Sequence, residues 1–301
     1  AHGMFQTVYD YPFLSSSAND IFDLTVGYSA QSALSSSVST QNAKKINMYN
    51  QMAQVLVGYN ETAEIRQFDR DGDLSGGTKM QEALFINCAR LLTKDEIQKG
   101  SFILSVATGG APAAVDFATL TNIQDHGAST SYYANSPAGE YGILYTSSAT
   151  PNADSGVGLI YYQAGVAVLT ASIFDGTFGA PTATYDTSSI DAVLTGSEIS
   201  SSCDGIRNRI NNIQFNNTTE LNSTIYFCRA GTSDFNYSSN PTYLSGSKIR
   251  VKNQESDSPI SYVTTIGLYS ADNELLAVAK LSEPLKKDPS NELTLRVRLD
   301  Y

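Results

Sequence analysis

The chain has no tryptophan, two histidines and three cysteines in 301 residues, and charged side chains make up only 16% of it. Each shortage removes a class of protein. Cys88, Cys203 and Cys228 are odd in number, widely spaced and without a C-x-x-C pair, which argues against a disulfide framework and against zinc or dithiol chemistry. His2 and His126 leave little for histidine-dependent hydrolysis, and no G-x-S-x-G elbow is present to raise a serine nucleophile. Asp125 adjoins His126, but neighbours in sequence seldom form a dyad. Gly156-Val-Gly158 lacks the third glycine of a phosphate loop and reads as a strand start flanked by small residues. Paired catalytic carboxylates, which can be distant along a chain, are not singled out by any pattern.

Positive charge is scarce as well. Lys and Arg number 19 against 30 acidic residues, a net charge of -11. Phosphate backbones require the opposite balance, so no nucleic-acid partner is expected. The pairs Lys44-Lys45 and Lys286-Lys287 read as solvated. No segment approaches the length and apolarity of a membrane span, and AHGMFQTVYDYPF lacks the basic-then-apolar pattern of a signal peptide. Ala1 reads as following a removed initiator methionine, and the sparse, unpaired cysteines point to a reducing site of synthesis. The Asn-x-Ser/Thr sequons at Asn60, Asn216, Asn217, Asn222 and Asn236 are then products of an Asn/Ser/Thr-rich composition.

What is abundant is Ser, Thr, Asn, Gly and Tyr, the composition of a turn-rich β protein; the 18 tyrosines suit both sheets and subunit contacts. Ile21–Tyr28 alternates as a strand. From Ala43, apolar residues at Ile46, Tyr49, Met52, Ala53, Leu56 and Tyr59 recur at helical steps, with Asn42 or Thr40 as N-cap and Gly58 near the end. A second helix is expected over 78–92 through Ala83, Leu84, Cys88, Leu91 and Leu92, which makes Cys88 a small core residue. Thr93-Lys-Asp-Glu96 has capping-box spacing for one more turn, and Phe102–Val106 resumes as a strand. Beyond this point no long helical period survives. Strands at 141–146, 158–162 and 166–171 form a meander, residues 175–200 are polar, and further strands are expected at 213–215 and 224–228. Near the C-terminus four strands follow, at 248–252, 262–269, 275–280 and 293–299, the last alternating so that Arg296 and Arg298 share one face. An exposed strand of that kind can pair with a neighbouring subunit. There is no internal repeat.

The fold class expected is a β-rich α+β protein with antiparallel sheets, sandwich or barrel-like, and a helical insertion near residues 42–99. Three regions are expected: a mixed α/β region at 1–135 with two amphipathic helices, a β meander at 136–240 and an antiparallel β module at 241–301. Asp71-Gly-Asp-Leu-Ser-Gly-Gly-Thr-Lys-Met-Gln-Glu82 is the best candidate for chemistry, because Asp71, Asp73, Ser75, Gly76 and Glu82 match EF-hand calcium-loop positions. Against it, Thr78 stands where an apolar residue is usual and Ser75 is a poor ligand. The expectation is a tight turn capping the helix that contains Glu82, and no residue is assigned to catalysis, a cofactor or a metal.

Ile260-Ser-Tyr-Val-Thr-Thr-Ile-Gly-Leu-Tyr-Ser-Ala-Asp-Asn-Glu-Leu-Leu-Ala-Val-Ala-Lys280, with Pro284-Leu-Lys-Lys after it, resembles a module of tailed-phage virion proteins, including the N-terminal domain of tail-collar fibre proteins. Asn19–Tyr28, Gln41–Gln54 and Ser136–Pro151 are similar to segments of structural proteins from contractile-tailed marine and cyanobacterial phages. The resemblance implies a non-enzymatic tail or baseplate component located in the virion and assembled in the host cytoplasm. Its expected partners are copies of itself in a symmetric homo-oligomer and other tail proteins, with neither nucleic acid nor membrane. No fibre sequence follows the module here, which favours an adaptor over a receptor-binding fibre. Two alternatives share the composition: a host-surface glycan-binding or depolymerising tail component, which would show a tyrosine-lined groove with convergent acids, and a neck or capsid decoration protein.

Overall fold

The computed structural model describes residues 3–10, 19–36, 39–109, 115, 117–146, 155–174, 178, 189–196, 198–245, 248–249 and 259–301. Its elements, in chain order, begin with β1 (Gln6–Asp10), β2 (Asn19–Tyr28), α1 (Thr40–Leu56) and β3 (Glu82–Cys88). Next come α2 (Arg90–Thr93), β4 (Glu96–Ile97), β5 (Ile103–Val106), β6 (Thr121–Gln124), β7 (Tyr133–Ser136) and β8 (Gly139–Thr146). They are followed by β9 (Gly158–Tyr161), β10 (Val166–Thr170), α3 (Ile190–Gly196), α4 (Ile199–Arg207), β11 (Ile210–Gln214) and β12 (Asn217–Thr218). The last are β13 (Ser223–Ala230), β14 (Leu244–Ser245), β15 (Lys248–Ile249), β16 (Ser261–Tyr269), β17 (Leu275–Lys287) and β18 (Leu293–Asp300). The protein is β-rich α+β, and it divides into two compact units, Ala1–Thr219 and Glu220–Tyr301. The boundaries expected at 135/136 and 240/241 are corrected: the first falls inside β7, and the second separates β13 from β18, to which it is hydrogen-bonded along its whole length.

In the first unit, ten strands form one antiparallel sheet in the order β1-β2-β3-β10-β9-β8-β6-β5-β11, with β7 also paired to β8. The sheet curls as a half-barrel. The expected meander is present as β8, β9 and β10, which pair consecutively. Side chains on a strand alternate faces, and here both faces are buried. Ala83 and Phe85 of β3, Leu159 and Tyr161 of β9, and Val166 and Val168 of β10 enter one core. Leu84, Ile86, Cys88, Ile160, Ala167 and Leu169 enter the other.

Helices close each face. Tyr49, Ala53 and Leu56 of α1, at steps of three and four, join the first core with Phe68 and Met80; burying a large apolar side chain of this kind stabilises by about 1.5–3 kcal/mol. The α1 N-cap is Ser39, whose Oγ accepts from the Asn42 N–H at 3.1 Å, instead of Asn42 or Thr40. Gly58 ends the run at φ +80° as expected. Gly27 of β2 lets α1 come close, since a Cβ there would stand 2.7 Å from the Lys45 carbonyl oxygen. On the opposite face lie Ile190, Val193 and Leu194 of α3 and Ile199, Cys203 and Ile206 of α4.

Three sequence-based expectations fail for physical reasons. Residues 78–92 do not form the expected helix; only the short α2 begins near their end. The run Ala83–Ile86 sits in a central strand between β2 and β10 with both faces buried, and such a strand carries the same continuous apolar sequence as a buried helix. Thr93 closes the short α2 and Lys94 turns with φ +54°, so the capping-box spacing starts nothing. The polar stretch before residue 200 ends in α3, and α4 follows it; both helices are short, seven and nine residues, too short for a helical period to stand out, and α4 is interrupted by three serines.

In the second unit β13 pairs with β18, β16 with β17, and β14 with β15. The strands expected at 262–269, 275–280 and 293–299 are β16, part of β17 and β18. β17 is longer than expected because it continues through Pro284 to Lys287.

Candidate functional site

Two features stand out from the packed body. The first is the surface of the second unit. Its ribbons are two strands wide, and among its described residues only Ala230, Ile260 and Lys287 are buried. Neither hydrophobic core includes a residue from it. An isolated two-stranded ribbon is marginally stable in water, and these ribbons leave large apolar groups outside.

Register shows how the groups are arranged. Ile225 faces Arg298, Tyr226 faces Val297 and Phe227 faces Arg296 across the β13–β18 pair. Ile225, Tyr226 and Phe227 are all exposed although successive residues point to opposite faces, so both faces of this ribbon carry uncovered apolar surface. Phe227 is 70% exposed. On the β16–β17 ribbon Tyr262, Tyr269, Leu275, Leu276 and Val278 are exposed. A cleft of about 440 Å³ runs along Cys228, Ala230, Phe235, Val263, Ile266 and Leu295. Every tyrosine that is wholly buried among the described residues, Tyr28, Tyr49, Tyr141, Tyr161 and Tyr162, belongs to the first unit, which also exposes Tyr9, Tyr59 and Tyr132, whereas Tyr226, Tyr237, Tyr243, Tyr262, Tyr269 and Tyr301 of the second are exposed.

The second feature is the loop from Asp69 to Lys79. Its ends are clamped by a backbone bridge between those two residues and by Tyr49 Oη, which donates to the Met80 carbonyl at 2.7 Å and accepts from the Phe68 N–H at 3.3 Å. Lys79 Nζ pairs with Asp69 Oδ2. Asp71 and Asp73 each fold back on the loop, Asp71 Oδ1 accepting from the Asp73 N–H at 3.3 Å and Asp73 Oδ1 from the Ser75 N–H at 2.7 Å. Gly72, Gly76 and Gly77 all have positive φ. Asp69, Asp71 and Asp73 come together, each offering an oxygen within 4.8 Å of the others. Burial raises the pKa of Asp69, with Lys79 opposing and Asp71 adding to the rise.

This is not the constellation read from the EF-hand template. Glu82 lies on β3, where its carboxylate accepts from Ser32 Oγ, and it does not join the aspartates. Ser75 meets Asp73 through its N–H. The tight turn is present, but it leads into a strand. Asp69 was missed, although the spacing Asp-x-Asp-x-Asp at 69, 71 and 73 was there to read; anchoring the template on Glu82 excluded it.

The remaining sequence candidates are structural. Cys88 and Cys203 are buried thiols, each pushed up to about 12 by burial, and are inert on that account. Asp125 and His126 make no dyad: His126 is exposed on a turn, while buried Asp125 accepts from the Gly100 N–H at 2.6 Å, the Phe102 N–H at 3.0 Å and Tyr162 Oη at 3.1 Å. Gly158 opens β9, as the strand reading required. Lys45 and Lys287, expected to be solvated, are both wholly buried. Lys287 donates to the carbonyls of Thr232 at 3.1 Å and Asp288 at 2.9 Å, and so secures the segment after β13. A groove of about 870 Å³ beside Asn60, Glu64, Arg66 and Gln67 contains Tyr49 as its one tyrosine among the described residues. The tyrosine-lined groove expected of a glycan-binding component is absent from that position.

No helix among the described residues is long and apolar enough to cross a membrane. Compared with known protein families, curated proteins and solved structures, the chain gives no significant match.

Proposed function

We propose that this chain is a structural subunit of a tailed-phage particle, a tail or baseplate adaptor that acts by assembly, with no enzymatic role. The observation that carries the reading is the second unit: two-stranded ribbons, no hydrophobic core of their own, and Ile225, Tyr226, Phe227, Tyr269, Leu275 and Leu276 exposed. Apolar surface of this extent marks an interaction surface. Aromatic and aliphatic anchors ringed by polar residues are what protein interfaces use, and Phe227 has Arg296 as its cross-strand neighbour. Among the described residues the outer edges of β13, β16, β17 and β18 are unpaired, and such edges are suited to strand addition. The resemblance of residues 260–287 to a virion module supplies the phage assignment, and it coincides with the ribbon β16–β17. Copies of the same chain in a symmetric ring are the partners proposed first, with other tail proteins beyond them.

The test is the mass of the full chain in solution, by light scattering or native mass spectrometry over a concentration series, for the wild type and for Phe227→Asp with Leu276→Asp. A discrete oligomer is expected for the wild type, with affinity weakened about 10²-fold or more in the double variant because two anchors are lost. A wild-type chain that stays monomeric at every concentration would sink self-association.

A further inference from the structure

We propose that the loop from Asp69 to Lys79 binds a hard divalent cation, calcium by its donor chemistry, through the carboxylates of Asp69, Asp71 and Asp73. Oxygens on opposite sides of a calcium ion stand about 4.6–5.2 Å apart, twice the usual Ca–O length. The three carboxylates, each with an oxygen within 4.8 Å of the others, fit inside that span.

Crowding of carboxylates alone would not identify a ligand. Asp69 does. Its side chain is wholly buried, Oδ2 is taken by Lys79, and buried Oδ1 has no hydrogen-bond donor. A buried carboxylate oxygen left without a hydrogen-bond donor or cation is costly, and Lys79, which offsets the charge of the Asp69 carboxylate, donates to Oδ2 and leaves Oδ1 unsatisfied. The position of Gly77 shows where Oδ1 points: a Cβ on that residue would stand 3.1 Å from Asp69 Oδ1 and 2.7 Å from Asp71 Oδ2. Both oxygens therefore face one small space, which the missing side chain of Gly77 keeps open.

The loop is also held in shape before any ion arrives. Tyr141 Oη donates to the Gly72 carbonyl at 2.7 Å, and its ring stacks on Tyr133 at 5.5 Å and on Tyr161 at 5.1 Å. The Tyr133 ring lies against Gly72, where a Cβ would meet it at 3.0 Å. Three carboxylates are oxygen donors of the kind that calcium and magnesium take and softer metals do not favour. With few protein ligands, backbone oxygen or water completing the shell, and Lys79 offsetting one negative charge, affinity is expected to be modest, with a dissociation constant on the order of 10⁻⁴–10⁻³ M. The competing way to relieve the crowding is a proton shared between Asp69 and Asp71.

Terbium, which replaces calcium at oxygen sites and emits when a nearby tyrosine is excited, is the probe for the full chain, since Tyr133 lies beside the loop. Tyrosine-sensitised emission is expected for the wild type, displaced by excess calcium, and at least tenfold weaker in Asp71→Asn with Asp73→Asn at the same terbium concentration and unchanged circular dichroism. Absence of sensitised emission, failure of calcium to displace it, or equal emission from the folded double variant would overturn the proposal and leave the shared proton. Should the double variant not fold, Gly77→Ala takes its place: lost emission supports the site, and unchanged emission overturns it. Every residue involved lies in the first unit and the readout ignores oligomeric state, so this result is independent of the assembly test.

Discussion

Lys45 stands on α1 with its side chain wholly buried and its ammonium donating to the Leu194 carbonyl. Burial lowers its pKa to about 8, the thiol of Cys203 acting slightly the other way, whereas in the unfolded chain it returns to about 10.4. Between those values the unfolded state binds more protons than the folded one, so stability rises with pH from about 8 to about 10.5, and below 8 the full cost of the buried charge remains. The gain is at most about 3 kcal/mol. Urea unfolding at ~pH 7.5 and ~pH 10 should show the wild type gaining stability relative to Lys45→Met at the higher pH; parallel pH profiles would remove the buried charge as the cause. Nothing in Lys44-Lys45 separates a buried lysine from a solvated one, because the Leu194 carbonyl that receives it lies far along the chain. Asp69 differs: its spacing to Asp71 and Asp73 was legible, and only its burial was not.

Among elements, α1 shows what a sequence pattern conveys well. Its apolar steps and the terminating Gly58 are local signals, and the helix forms where they place it. β3 shows the limit, since Ala-Leu-Phe-Ile fits a buried helix and a central strand equally and only its pairing with β2 and β10 decides. The ribbons of the second unit lie between these cases: β16 was legible as a strand and β18 from its alternation, but the partner of β18 is β13, a long-range pairing that no local pattern reports. The seat of α1 on β2 depends on Gly27, where an added Cβ would lie 2.7 Å from the Lys45 carbonyl oxygen and 2.8 Å from the Tyr49 nitrogen. Both obstacles are backbone and cannot turn aside. Gly27→Val should therefore destabilise by roughly 2–4 kcal/mol, read as a lower thermal midpoint; an unchanged midpoint would mean that α1 shifts without cost.

For the whole molecule, the contrast between the units predicts separability. Residues 1–219 contain both cores and their covering helices, so this fragment should melt cooperatively and remain monomeric, whereas 220–301 should not persist as a monomer in isolation. Loss of cooperative melting from fragment 1–219 would show that the division seen in the contacts is not one of stability. The sheet of that unit has a consequence for descent as well. Residue parity along β3, β9 and β10 assigns each position to one core or the other. Lineages drifting from this sequence can therefore compensate a shrunken Phe85 through Phe68 or Tyr49, and a shrunken Leu84 through α3 or α4. The two faces thus carry separate histories of substitution on the same strands, and a single-residue deletion within β3 would exchange them.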